Sequence, residues 1–244
     1  MPRTAIVIPT YNEAAGLREI VSAVRAAVPE ATVLVVDDNS PDGTGALADQ
    51  LAAADPQVRV KHRAAKQGLG RAYVDAFGGL LAEGWERIVQ MDADFSHDPA
   101  DVPRLLATLD AGADVAVGSR YVSGGSTANW SLGRRLVSRG GSLYARTVLG
   151  LPIRDLTAGF KAWRRETLAR IPLEQIDARG YGFQIEMTTR ALRAGAKVVE
   201  VPIRFVDRRV GQSKMSETIF IEALTIVWRL RFDRPPAGRT GSER

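Results

Sequence analysis

Three aspartates stand within seven positions in IVQMDADFSHDP (88–99): Asp92, Asp94 and Asp98. They follow directly on an apolar run. In an extended chain residues i and i+2 face the same side, so Asp92 and Asp94 point together if the strand geometry persists. Two carboxylates that close repel unless one is protonated or a cation lies between them. The alternative is an exposed strand end with solvated acids and an Asp-Pro turn, and the motif alone does not decide between them.

The composition narrows the cation. The 244 residues include no cysteine and two histidines, His62 and His97, which excludes disulfides, cysteine-ligated zinc and a histidine-rich metal centre. Any metal is therefore held mainly by oxygen, which favours Mg²⁺, Mn²⁺ or Ca²⁺. The net charge of +5 suits an anionic partner such as a nucleotide, a nucleic acid or an acidic lipid surface. With 45% hydrophobic and 25% charged residues the balance is ordinary for a globular chain, and the length suits one domain with a substantial core. The first apolar run, AIVIP, is too short for a signal peptide. The longest apolar segment, IFIEALTIVWRL, contains a glutamate and falls short of a membrane span.

The elements that must position these residues alternate. Strand candidates are AIVIP (5–9), TVLVV (32–36), VRV (58–60), RIVQM (87–91), DVAVGS (114–119) and KVVEVPIRF (197–205). Helical spacing of apolar residues fills 14–28, 43–54, 69–84 and 101–112. This predicts an α/β fold, a mainly parallel Rossmann-like sheet with helices on both faces. Three strands run into polar loops, PTYNE (9–13), DDNSPDGT (37–44) and DADFSHDP (92–99). In a parallel sheet all three sit on one edge, where ligands bind. Helix caps at Asn12, Asp42 or Thr44 account for part of this polarity but not for three acidic strand ends. Further on, 132–151 reads as one or two basic amphipathic helices interrupted at Gly140-Gly141, 180–195 as a helix and 215–232 as a last helix. The domain runs over 1–232, and DRPPAGRTGSER (233–244) reads as a disordered tail.

IVIPTYNE, VVDDNSPDGT, KQGLGRAY, MDADFSHDP, VGSRY, DLTAGFKAWRR, GYGFQIEM and RRVGQSKM occur in this order and span about residues 4–216. Together they resemble the family 2 glycosyltransferases with a GT-A fold and, within them, the polyprenol-phosphate (dolichol-phosphate) mannose synthases. The resemblance implies inverting transfer of mannose from GDP-mannose to a polyprenyl monophosphate, with Mg²⁺ or Mn²⁺. Pro9, Tyr11, Glu13 and Asp38 would form the nucleotide pocket. Asp92 and Asp94 would bind the metal, with Ser96 two places on. Arg208, Ser213 and Lys214 would close over diphosphate or acceptor phosphate, which Arg120, Arg134 and Arg139 would also meet. Glu186 lies near the acceptor-side acid of related enzymes and reads as a residual base or, in preference, as a packing and hydrogen-bonding residue. Gly68, Gly70 and Lys66 are candidates for a phosphate-facing turn.

The implied chemistry suits these residue types. Breaking a sugar–diphosphate bond releases a charged leaving group that a metal, arginine and lysine stabilise. A lipid phosphate is already an anion and needs no strong base, so the acceptor half must supply cations instead. The implied partners also include an anionic membrane surface, at the cytosolic face, and a separate membrane-anchoring protein; no nucleic acid is implied. Many relatives carry transmembrane helices after the catalytic domain, and none is expected here. The last helix, with Ile219, Phe220, Ala223, Ile226, Val227 and Leu230 on one stripe and Arg229, Arg231 and Arg234 at its end, fits either a membrane surface or a core. Rival functions are a glucosyltransferase of the same family, a sugar-1-phosphate nucleotidyltransferase and a non-catalytic nucleotide-sugar sensor. Against the nucleotidyltransferase, PTYNE stands where a Gly-rich, lysine-containing phosphate loop belongs.

Overall fold

The computed structural model describes residues 2–176, 180–207 and 217–233, the side chains of 217–224 apart. Arg208, Ser213, Lys214 and Arg234 lie outside the described residues, as does the tail from 234. The side chains of Ile219, Phe220 and Ala223 lie outside them too.

The first half alternates as its periodicity predicts. β1 (Thr4–Thr10), α1 (Ala14–Ala27), β2 (Thr32–Asp37), α2 (Thr44–Ala54), β3 (Val58–His62), α3 (Leu69–Ala82) and β4 (Arg87–Gln90) follow in turn. After α4 (Val102–Asp110) come β5 (Val115–Ser119), a short β6 (Ser126–Ala128) and α5 (Leu132–Leu149). β7 (Lys161–Arg164), α6 (Arg165–Ala169), α7 (Gly180–Arg193), β8 (Val198–Pro202), β9 (Arg204–Val206) and α8 (Glu217–Phe232) complete the order. The seven-stranded sheet runs β3-β2-β1-β4-β7-β5-β8, and β6 pairs with β9 apart from it.

Alternate residues of each central strand enter opposite cores, because both faces of the sheet are covered. Ile6, Ile8, Val33 and Val35 pack with Leu17 and Ile20 of α1, Leu51 of α2 and Leu105 of α4. Ala5, Val7, Leu34 and Ile88 pack on the other face with Tyr73 and Phe77 of α3 and Phe183 and Met187 of α7. The expected mainly parallel sheet with helices on both faces is therefore present.

Four local expectations change. β7, a four-residue strand absent from the expected set, pairs antiparallel with both β4 and β5. Its reversed direction brings the segment that leads into it, DLTAGF, to the edge where β4 and β5 end. The expected strand 197–205 is divided at Ile203, and β9 leaves the main sheet to pair with β6. α5 passes through Gly140-Gly141 as one helix; Ser131 caps its start and Gly150, at φ 67°, ends it. Asn12 does not cap α1. Asp42, from the neighbouring loop, accepts the Ala14 N–H (3.1 Å) instead.

The choice left open for α8 falls to the core. Ile226, Val227 and Leu230 are buried in a cluster with Ala145 and Leu149 of α5 and Ile185 of α7. Arg229 turns back to the fully buried Glu186 carboxylate (3.4 Å), which Arg190 also holds (2.7 Å). Glu186 is thus a packing residue, as read, and the assignment of Arg229 to a membrane-facing cluster is corrected. Arg231 is exposed, and so are Trp228 and Phe232. Leu230→Ala should therefore cost about 2–5 kcal/mol in denaturant unfolding, and a loss below about 0.5 kcal/mol would contradict the packing.

Candidate active site

Three strand ends meet at one edge, and each turns sharply. Asn12 after β1, Asn39 after β2 and Phe95 after β4 all take positive φ, 59°, 57° and 59°. Asparagine tolerates this region; a phenylalanine there is strained, and strain of that kind clusters at functional loops. The Phe95 turn lets the Ser96 N–H reach back to Asp94 Oδ1 at 3.0 Å.

The first two loops are stitched together. Asn12 N–H donates to Ser40 Oγ (3.1 Å), Glu13 N–H to Thr44 Oγ1 (3.0 Å), and Asp42 accepts from Thr44 N–H and Ala14 N–H. Asp37, buried, accepts from Thr10 Oγ1 (3.1 Å) and Ser40 N–H (3.0 Å). Pro9, Tyr11, Glu13 and Asp38 therefore belong to two adjacent strand ends whose loops are tied together. Asp38 is buried and paired with Arg63, a residue the sequence reading passed over. The same guanidinium donates to Asp75 Oδ2 and Gln67 Oε1, both at 2.8 Å. Lys66 stands over the Tyr11 ring, 3.8 Å from its centroid. Arg63 follows β3 in VRVKHR, and nothing in its spacing sets it apart from surface arginines.

Asp92 and Asp94 open onto a cavity whose other walls are Leu69, Ser96, His97, Arg120, Trp130, Arg134, Thr157, Gly159, Gly180, Tyr181, Gln184 and Phe205. Asp92 N–H donates to His97 Nδ1 (3.2 Å), so that nitrogen accepts and the ring proton belongs on Nε2. His97 is buried, stacks on Phe160 at 4.9 Å and meets Phe205 edge-on. Burial pushes its pKa down, against the pull of Asp92 and Asp94. Beneath the pair, the buried Tyr73 hydroxyl donates to the Met91 carbonyl at 3.2 Å. Burial, with the Asp92 charge added, raises the Tyr73 pKa well above its usual value.

Two arginines of the same cavity are braced. Arg120, from the end of β5, sends Nε and Nη2 to the two Asp155 oxygens at 2.7 and 2.6 Å. Nη2 also donates to Thr157 Oγ1 at 2.7 Å. Asp155 is fully buried and Arg120 nearly so. Burial alone would lower the Arg120 pKa; the Asp155 carboxylate overrides it and raises it. Arg134 lies 4.4 Å from the Trp130 ring and bonds Asp207 Oδ2 at 2.6 Å. Arg139 is not in this cavity. It lines an adjoining groove with Tyr121, Leu136, Leu143, Arg146 and Arg154.

A divalent cation fits the donor set. Asp92 and Asp94 supply hard oxygens and Ser96 lines the same cavity, while among the described residues no group of three or more His, Cys, Asp or Glu is placed to hold a metal by itself. Two carboxylates leave coordination positions for phosphate oxygens.

Comparison with known proteins agrees with this architecture. The model of Glycosyl transferase family 2 matches residues 5–171. The polyprenol monophosphomannose synthase of Mycolicibacterium smegmatis is 51% identical over 232 residues, 94% of this chain and 88% of that protein. The undecaprenyl-phosphate mannosyltransferase of Micrococcus luteus is 51% identical over 227 residues, 93% of each. Among solved structures, glucosyl-3-phosphoglycerate synthase from Mycobacterium tuberculosis, in complex with Mn²⁺, UDP and glucosyl-3-phosphoglycerate, superposes with a TM-score of 0.68 at 21% identity. That match covers 97% of this chain and 82% of that one, and at this identity it shows the fold.

The Arg120–Asp155 pair makes a test that needs no substrate. Arg120→Met leaves a buried carboxylate without its counter-charge and should cost about 3–5 kcal/mol in urea unfolding. Adding Asp155→Leu should recover most of that loss. A double variant no more stable than Arg120→Met would contradict the pairing.

Proposed function

The chain belongs to glycosyl transferase family 2, and on that footing we propose that it transfers mannose from GDP-mannose to the phosphate of a polyprenyl monophosphate. The observation that carries this reading is the polarity of one cavity. Asp92, Asp94, Arg120 and Arg134 line it together, and among the described lining residues no further carboxylate is present. A hydroxyl acceptor calls for a positioned base. An acceptor phosphate brings its own negative oxygen and calls for cations. The names of the Mycolicibacterium and Micrococcus relatives support the same acceptor and sugar.

In this reading the nucleotide lies along the β1–β2 wall, near Pro9, Tyr11, Glu13 and Asp38. The diphosphate reaches Asp92, Asp94 and Ser96. A bound Mg²⁺ or Mn²⁺ would neutralise the charge that grows on the leaving diphosphate; the Mn²⁺ of the glucosyl-3-phosphoglycerate synthase complex supports a divalent ion. Arg120 and Arg134 hold the acceptor phosphate, and one of its oxygens attacks the anomeric carbon. The carbon–oxygen bond to the diphosphate breaks on the far side, the configuration inverts and GDP leaves. Arg120 donates to Asp155 and Thr157 on one side while lining the cavity, so its position is fixed before substrate arrives. Arg208, Ser213 and Lys214 stay in the proposal as residues that close over the phosphates.

The lipid arrives at a surface. Among the described residues no helix is long and apolar enough to cross a membrane. α5 instead exposes Leu132 (81%), Leu136 (76%) and Leu143 (60%) beside Arg135 and Arg139. These leucines recur at helical spacing on the side away from its buried Ser142, Ala145 and Leu149. An apolar stripe edged with arginine suits the headgroup layer of an anionic membrane. The membrane contact passes from α8, where it was first sought, to α5, with Trp228 and Phe232 as exposed aromatics on α8.

Asp94→Asn should lower transfer about 10²–10³-fold and leave the thermal melt unchanged, since Asp94 is only partly buried. Near-wild-type turnover in saturating Mn²⁺ would contradict the role given to the pair.

A further inference from the structure

Two buried donors in the cavity wall, Trp130 Nε1 and Gln184 Nε2, have no hydrogen-bond partner among the described residues. Gln184 is 2% exposed, lines the cavity, and among the described residues its Nε2 has no hydrogen-bond partner. Leaving a buried amide nitrogen unsatisfied is costly, so its persistence calls for an explanation.

The direction of that nitrogen is dictated by its neighbours. The indole N–H of Trp163 is a donor only and bonds Gln90 Oε1 at 2.9 Å. That fixes the Gln90 amide, whose Nε2 then donates to the Gly159 carbonyl and to Gln184 Oε1, both at 2.8 Å. Lys161, fully buried, donates to the same Oε1 at 2.9 Å and to the Gln184 carbonyl at 3.0 Å. Burial lowers its pKa to about 7, and it donates in either protonation state. Two donors thus converge on Oε1, and an inverted Gln184 amide would set donor against donor. Nε2 is left facing the space above Gly159. A methyl group placed on Gly159 would stand 3.7 Å from Gln184 Nε2, 3.7 Å from Asp92 Oδ2 and 3.4 Å from His97 Cε1. The missing side chain at 159 keeps that space open.

We propose that the Gln184 carboxamide donates a hydrogen bond to a hydroxyl oxygen of the hexosyl group of the nucleotide sugar, seated over Gly159 between Asp92 and Gln184. This rests on the reading of Asp92 and Asp94 as the diphosphate end. The sugar is bonded to that diphosphate, so it lies next to Asp92, where Gly159 leaves room. Oxygen is the partner the site selects, because an amide N–H pair has nothing to accept with. Trp163, Gln90 and Lys161 act through Gln184 as positioning residues.

Gln184→Glu is the cleanest test. It keeps an oxygen for Gln90 and Lys161, and so the fold, while removing the donor. Binding of GDP-mannose and of GDP is measured by calorimetry in Mn²⁺, with thermal melting alongside. GDP-mannose affinity should fall about tenfold or more while GDP affinity stays within about threefold and the melt is retained. Equal losses for both ligands would show simple charge repulsion and overturn the assignment. An unchanged GDP-mannose affinity would overturn it too, whether or not the KM for lipid phosphate rises. Gly159→Ala is an independent second variant, since its methyl meets only ordinary contacts; it should weaken GDP-mannose and spare GDP, and equal affinities would count against the seat. If the wild-type protein prefers another nucleotide sugar, the mannose reading fails. The same comparison, with that sugar and its nucleoside diphosphate, still decides the role of Gln184.

Discussion

A buried arginine needs a counter-charge, and Arg120 finds one because β7 runs backwards. In an all-parallel sheet, the segment entering a strand lies at the edge opposite the ligand. β7 is antiparallel to both neighbours, so the chain that enters it, Asp155 to Phe160, arrives where β4 and β5 end. Asp155 meets Arg120 there, Thr157 braces the guanidinium, and Gly159 floors the cavity next to Asp92. An ion pair this deep contributes little net stability but defines one arrangement, because either partner alone would be an uncompensated buried charge.

Both arginines of the cavity carry a counter-charge. Asp155 neutralises much of the Arg120 charge from behind, and Asp207 does the same for Arg134. Each arginine thus lines the cavity with a carboxylate already at its side. The proposed reaction brings two anions together. A cavity lined by two arginines and, among its described residues, by no carboxylate beyond Asp92 and Asp94 suits that problem. A second buried pair stands at the end of β2, where Arg63 holds Asp38 in place.

Residues that act from a strand end were legible, and those that act through tertiary contacts were not. Asp92 and Asp94 announce themselves because i and i+2 after a buried strand share a face. Asp38 and the PTYNE loop follow from the same rule. Arg63 and Gln184 gave no such signal: one looks like any arginine near a surface, the other like a polar residue in an amphipathic helix. Their roles come from partners 25 and 94 positions away. β7 was missed because its four residues, KAWR, are too few for a period to show. Gly140-Gly141 suggested a break in α5, yet packing against α8 and the Ser131 cap hold it as one helix. The α8 pattern was readable as an apolar stripe, but only its contacts with α5 and α7 decide what the stripe faces.

The claim on which the account turns is that an acceptor phosphate replaces a catalytic base. It is tested most directly by incubating the protein with labelled GDP-mannose, Mn²⁺ and either a short polyprenyl monophosphate or the matching free polyprenol, and measuring labelled lipid. The account predicts mannosyl lipid from the phosphate and none above background from the alcohol. Efficient mannosylation of the alcohol would contradict it, because the cavity would then have to contain a base.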